Sequence, residues 1–167
     1  LEFRRVLFRS WQTYETSYNS LPKDILMYTK TWIDMNSNWE YRYMSGPERD
    51  DFVLKEYGEK WFNIFSSCPI KVMKADIWKY MIINTYGGFY VDIDTSCKIP
   101  LDEWIDDQYN LIVADDGDGF SFTNGAFAGN NNNIMLIEVL KNIQNKILNN
   151  TIYDQTLVYR LTGAVAF

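Results

Sequence analysis

The chain has 167 residues, with 16 Lys+Arg against 22 Asp+Glu and no histidine, a formal net charge of −6. Its length suits one domain or a large piece of one, and its 47% apolar and 23% charged composition excludes disordered, collagen-like and coiled-coil chains. The acidic balance argues against nucleic acid as a partner, and the lack of histidine removes Ser-His-Asp and Cys-His nucleophiles and the usual His-containing zinc sites.

Residues 1–10, LEFRRVLFRS, differ in composition from the rest of the chain. They hold Arg4, Arg5 and Arg9, three of the six arginines, and read as a non-native cloning or assembly scar, or else a basic arm. A partial domain then occupies 11–167. Pro22 suits a helix start, and Ile25, Tyr28, Trp32 and Met35 come next at helical spacing until Asn36-Ser37-Asn38. Trp39, Tyr41 and Tyr43 alternate with Glu40 and Arg42, a half-buried strand. Ser45-Gly46-Pro47-Glu48 opens a second helix that stops near Gly58, and a short helical stretch through Trp61 and Phe65 ends at Cys68-Pro69. Ile70 to Tyr86 is a third helix, with Gly87 at its C-cap. Phe89 to Asp94 and Asn110 to Ala114 read as strands, with a turn and short helix around Pro100 to Ile105 between them. Phe120 to Thr123 and Ala126 to Ala128 read as two short strands about Asn124-Gly125. Ile134 to Leu148 is an amphipathic helix with Ile137, Leu140, Ile143 and Ile147 inward. Strands alternate with helices, which predicts an α/β fold with a mostly parallel sheet flanked by helices. Two cysteines, Cys68 and Cys97, are too few for a disulfide framework. No stretch approaches the length of a membrane span.

The chemistry concentrates in Tyr86-Gly87-Gly88-Phe89-Tyr90-Val91-Asp92-Ile93-Asp94-Thr95. Strand alternation puts Phe89, Val91 and Ile93 on one face and Tyr90, Asp92 and Asp94 on the other. Two carboxylates and a phenol then share one surface at a strand's C-terminal end, where open α/β sheets bind ligands. Carboxylates this close repel unless a cation lies between them. Their hard oxygens favour Mg²⁺ or Mn²⁺, ions that keep open positions for substrate phosphates. The plainer reading is a strand end that caps a turn. Asp116-x-Asp118, in a glycine-rich loop with no strand ahead of it, reads as solvated loop. Asp76 and Lys79 lie three apart on the preceding helix and read either as reaching the same site or as a surface ion pair. Lys74 fits either reading equally.

Lys74-Ala-Asp76-Ile-Trp-Lys79-Tyr80, the glycine-rich strand with Asp92-Ile93-Asp94, and Ile99-Pro100-Leu101-Asp102 together resemble the DXD-containing sugar-transfer glycosyltransferases. That family includes yeast α-mannosyltransferases and has the clostridial glucosylating toxins as distant relatives. Trp11-Gln12-Thr13 resembles the end of the family's first strand. Thr123-Asn124-Gly125-Ala126-Phe127 resembles its segment near the sugar, and Leu161-Thr162-Gly163 its later Thr-Gly-Pro, with Ala164 in place of proline. The resemblance implies a GT-A-type nucleotide-sugar-binding sheet and retaining transfer from a UDP- or GDP-sugar to a glycan or glycolipid hydroxyl, assisted by Mn²⁺ or Mg²⁺. It implies that Asp94 binds the metal and that Asp92 contacts the metal shell or the ribose and sugar. By the same carry-over Tyr90 contacts the nucleotide, Trp11, Gln12 and Thr13 line the base pocket, Asp76 holds sugar hydroxyls, and Asn124 lies near the sugar. Lys79 stands where relatives often have arginine, which removes a bidentate contact. The family's isoleucine-rich first strand and its C-terminal His- and Trp-containing motif are not in this sequence. The expectation is therefore a piece truncated at both ends, from a parent whose membrane association stays open. Two other readings remain: a haloacid-dehalogenase-like phosphotransferase with Asp92 as nucleophile, and an inactive carbohydrate-binding fragment.

Overall fold

A computed structural model describes residues 8–106, 108–115, 117, 122–149 and 161–163. Asp116-x-Asp118 and most of the Arg-rich segment lie outside these. Five strands form one sheet in the order β2-β1-β3-β5-β4: β1 Arg9–Tyr14, β2 Glu40–Ser45, β3 Gly88–Val91, β4 Leu111–Asp115 and β5 Phe122–Gly129. Arg9 and Ser10, grouped by composition with the Arg-rich segment, are the first residues of β1 and pair with Glu40 and Tyr41.

The sheet is half parallel rather than mostly so. β1 pairs in parallel with β2 and β3, whereas β5 runs antiparallel to both β3 and β4. The reason is connection length. Only 116–121 separate β4 from β5, while a parallel crossover needs about a dozen residues. β1 to β2 and β2 to β3 have that length, and both carry helices.

Helix α1, Lys23–Met35, bridges β1 to β2. Helices α2, Gly46–Ser67, and α3, Lys71–Tyr86, bridge β2 to β3, and α4, Ile134–Asn149, follows β5. Ser45 and Glu48 cap α2 reciprocally, and the helix breaks at Gly58, whose φ of 74° suits glycine. Trp11, Tyr90 and Phe127 pack with α2, α3 and α4 on one face of the sheet. Trp32 of α1 packs with Trp39, Phe89, Val91, Cys97, Leu101 and Ala128 on the other. Helix α3 is buried nearly all round, Asp76 through Ile83 without a break, because the sheet and two helices enclose it. In α4 the buried set is Leu136, Val139, Leu140, Ile143 and Ile147, with Ile137 only half-buried.

Two local differences shape the site. The third strand ends at Val91 rather than Asp94. The Asp92 carbonyl accepts the Thr95 hydroxyl at 2.6 Å and the Thr95 amide at 3.3 Å, which turns the chain out of the sheet. Phe120 and Ser121 lie outside the described residues; from Phe122 on, the two short strands expected about Asn124-Gly125 are one strand with an irregularity. Val113 pairs with Phe127 but Ala114 with Thr123, so Asn124, Gly125 and Ala126 bulge from the β4 ladder.

Candidate functional site

Chain order sets the site before any side chain does. β2 lies on one side of β1 and β3 on the other; the first crossover helix packs on one face and the next two on the opposite face. The strand order therefore reverses between β1 and β3. A crevice opens outside the carboxyl ends of strands at such a switch point. Gln12 and Asp92 stand there, joined by a 3.3 Å bond from Gln12 Nε2 to the Asp92 carbonyl.

Asp92 and Asp94 share this edge through a turn, not through strand alternation. Ile93 between them is buried, and Asp94 turns outward and is exposed. Asp92 Oδ1 accepts the Tyr90 hydroxyl at 2.6 Å and lies 3.9 Å from Lys79 Nζ. Its other oxygen lies over Gly125, where an added Cβ would come within 2.9 Å. Glycine is what lets this carboxylate sit against β5, whose Gly125 carbonyl accepts the Asp92 amide at 2.8 Å. Burial raises the Asp92 pKa above its ordinary value. Lys79 and the Tyr90 hydrogen bond oppose that rise, and Asp76 and Asp94 add to it.

Behind Asp92 is a buried polar network. Lys79 Nζ lies 2.7 Å from Asp76 Oδ1, and the two side chains are 3% and 9% exposed. Asn124 Nδ2 donates to Asp76 Oδ1 at 3.3 Å and to the Tyr80 hydroxyl at 3.0 Å. Thr162 Oγ1 donates to Asp76 Oδ2 at 3.0 Å, and Tyr80 donates to the Thr162 carbonyl at 3.1 Å. Burial also pushes the Tyr90 and Tyr80 hydroxyls well above their ordinary pKa, so both remain hydrogen-bond donors. Lys74 is elsewhere, 3.7 Å from Asp50 and over the Phe65 ring, so Lys79 is the lysine of this network.

The structure thus brings Gln12, Asp76, Lys79, Tyr90, Asp92, Asp94 and Asn124 together. It withdraws Tyr90, Trp11, Gln12 and Thr13 from the surface, the Gln12 amide being held between the Tyr41 hydroxyl and the Asp92 carbonyl. The Tyr90 ring is buried among α3 residues, because helices cover that face of the sheet and only its hydroxyl reaches the edge. Trp11 is buried with Nε1 on the Gly87 carbonyl at 3.0 Å, and Thr13 is spent on the Met44 carbonyl at 2.6 Å. Asp76 is enclosed by Lys79, Asn124 and Thr162. Tyr80, Gly125 and Thr162 are additions to the predicted set. All three carried a signal as parts of the family-like segments that contain them.

The donor set fits a divalent cation. Asp76, Asp92 and Asp94 against Lys79 leave two uncompensated negative charges beside two oxygen-ligand side chains. Among the described residues no group of three His, Cys, Asp or Glu side chains gathers as a metal cage. Mg²⁺ and Mn²⁺ suit such a sparse site, because they take one or two carboxylates and complete their shell with water and substrate phosphates.

Residues 22–111, just over half of the chain, match the family described as the glycosyltransferase sugar-binding region containing DXD motif. The chain belongs to this family. Among DXD glycosyltransferase relatives, the initiation-specific alpha-1,6-mannosyltransferase of Candida albicans is 31% identical over 109 residues, covering 61% of this chain and 28% of that protein. The mannosyl phosphorylinositol ceramide synthase of Saccharomyces cerevisiae is 33% identical over 92 residues, covering 54% of this chain and 23% of that protein. The chain thus spans about a quarter of the length of these curated relatives. A solved structure, the PaToxG glycosyltransferase, shares the fold with a TM-score of 0.64 at 14% identity, covering 96% of this chain and 66% of that one.

Proposed function

We propose that this chain is the donor-binding part of a retaining, metal-assisted glycosyltransferase that takes a UDP- or GDP-sugar. The observation that supports this most is the Asp92-Ile93-Asp94 turn at the β1/β3 switch point, backed by buried Lys79, Asp76 and Asn124. Asp94 and the Asp92 oxygen over Gly125 would hold a Mn²⁺ or Mg²⁺ ion, which would supply neutralisation of the departing diphosphate. The bond from the anomeric carbon to the diphosphate oxygen breaks as an acceptor hydroxyl oxygen bonds that carbon, and its proton leaves with the diphosphate. In this reading retention proceeds by attack from the face the diphosphate leaves, a course that needs no carboxylate nucleophile.

In this reading the nucleotide lies along the ends of β1 and β2, with Gln12 at the turn. Trp11, Thr13 and Tyr90 act from beneath by fixing the strands and Asp92. Asp76 and Lys79 set the charge beside the sugar rather than gripping it bidentately. The relatives' names point to mannose as the sugar and to a glycan or an inositol phosphoceramide as the acceptor class. Metal and donor use together separate this reading from the phosphotransferase, which forms an acyl phosphate at Asp92, and from a glycan-binding remnant, which needs no metal.

The test is calorimetric titration of UDP- and GDP-sugars into the chain with Mn²⁺ or EDTA present, beside Asp94→Asn. The reading expects binding that requires both Mn²⁺ and Asp94, for one nucleotide and not the other. Equal binding in EDTA, or by Asp94→Asn, contradicts it.

A further inference from the structure

Asp94 is the exposed carboxylate of the turn, and no hydrogen bond fixes its side chain among the described residues. Its direction is therefore set by the backbone on either side. Upstream the anchor is Gln12 on the Asp92 carbonyl. Downstream it is a helix more than sixty residues away in sequence. Trp32 Nε1 of α1 donates to the Thr95 carbonyl at 2.9 Å. Thr31 Oγ1 accepts the Cys97 amide at 2.8 Å. Asn36, which caps α1, accepts the Leu101 amide on Oδ1 at 2.7 Å, while its Nδ2 donates to the Trp32 carbonyl at 2.8 Å.

Little else is asked of α1. Of its 13 residues only Thr29 and Trp32 are buried, while Met27, Tyr28, Ile33 and Met35 are exposed. Three polar groups of α1 and its cap nevertheless go to one short segment, 95–101. Two of them accept amides of buried residues, Cys97 and Leu101, which would otherwise be orphaned.

We propose that Thr31, Trp32 and Asn36 are positioning residues for Asp94: α1 is the template that holds segment 95–101, and through it the direction in which Asp94 is presented to a divalent cation. This rests on the proposed metal role of Asp94. The residues touch neither metal nor donor, and they act through the backbone that follows Asp94. Outer-shell partners of metal ligands act in this way and carry substantial shares of affinity.

The test uses the full chain and Mn²⁺ alone, with free Mn²⁺ followed by electron paramagnetic resonance. Thermal unfolding and amide exchange at residues 95–101 are recorded in parallel. Thr31→Val keeps the shape of the side chain and removes the acceptor of the Cys97 amide. It should weaken Mn²⁺ binding about three- to tenfold and speed exchange at Cys97, with Thr31→Ser restoring both. Trp32→Phe, which keeps a ring against Phe89, should weaken it comparably. Ile83→Val, a core change in α3 remote from the turn, should lower Tm by a similar amount and leave Mn²⁺ affinity unchanged.

If Asp94→Asn abolishes Mn²⁺ binding while Thr31→Val and Trp32→Phe bind like wild type, the positioning role is overturned and the metal site stands. Affinity that follows Tm alone across all variants, Ile83→Val included, also overturns it. If the wild-type chain binds no Mn²⁺, or Asp94→Asn binds equally well, both readings fall together.

Discussion

The two ends of the sheet are built from different chemistry. At the carboxyl end of β1 and β3, Asp92, Lys79, Asp76, Asn124 and Thr162 are linked within hydrogen-bond or ion-pair reach, and most are buried. At the opposite end Phe8, Trp39, Tyr86, Ile105, Tyr109 and Ile112 line a cleft of about 300 Å³ around Gly87 and Gly88. This hollow is mostly aromatic and aliphatic, and Asp106 is the one carboxylate among the described residues that line it. The other edge holds charges that water would otherwise screen. Volume and chemistry separate here, because a metal-diphosphate site needs convergent oxygen ligands more than it needs an empty cavity.

Substitutions at one end and not the other sharpen this contrast. The largest effect is expected at Lys79. Lys79→Met leaves Asp76 buried without its counter-charge and should cost about 3–5 kcal/mol in urea unfolding. Asp106→Asn at the opposite end should stay within about 0.5 kcal/mol. Next is Gly125→Ala, whose Cβ meets Asp92 Oδ2 at 2.9 Å. It should cost about 1–3 kcal/mol as an overpacked contact and weaken Mn²⁺ binding, read from the same unfolding and metal titrations. If Gly125→Ala leaves metal affinity intact, the Asp92 oxygen over Gly125 is not a ligand.

A smaller, pH-dependent effect comes from Asp92, whose folded pKa is raised by burial. A carboxylic acid raised in the folded state holds more protons there than in the unfolded chain. Stability without metal should therefore fall as pH rises, from the ordinary carboxylate range up through the folded pKa. Mn²⁺ affinity should rise over the same window, because the anion is the ligand. Tm measured against pH in EDTA checks the first statement, with Asp92→Asn flattening the slope. Tyr90→Phe removes a hydrogen bond that lowers this pKa, so the window should move up. Smallest of all, Tyr109→Ala, at a residue 67% exposed beside the opposite cleft, should leave Tm and Mn²⁺ binding within error.

The helix ending at Gly87, the double glycine and the Asp-x-Asp after it were legible because helical spacing, a C-cap and an apolar run are local signals. Gly88 shows why that glycine is needed. Its φ is 110°, and a Cβ would fall 2.3 Å from the Arg9 carbonyl, so β1 approaches only glycine this closely. The position of Asp92 was legible but its neighbours were not. Strand alternation placed Tyr90 with the carboxylates on an open surface, whereas α3 covers that face and buries the ring. The enclosure of Asp76 depends on Asn124 and Thr162, 48 and 86 residues away, and the α1 tether spans more than sixty. Pairings at such separations leave no periodicity to read. The antiparallel half of the sheet was misjudged because helix-strand alternation was extended past β4, where the connection to β5, residues 116–121, is too short for a crossover.

The most direct test of the central claim, that the metal-donor site lies at the Asp92-Asp94 edge and not in the aromatic cleft, is paramagnetic broadening by Mn²⁺ in nitrogen-15 amide spectra of the chain. Selective loss of the Ile93, Asp94, Thr95 and Gly125 amide signals at substoichiometric Mn²⁺, with Gly88, Asn130 and Asn131 unaffected and the losses abolished by Asp94→Asn, is the predicted result. Broadening centred on Gly88 and Asn130, or spread evenly over the chain, would contradict it.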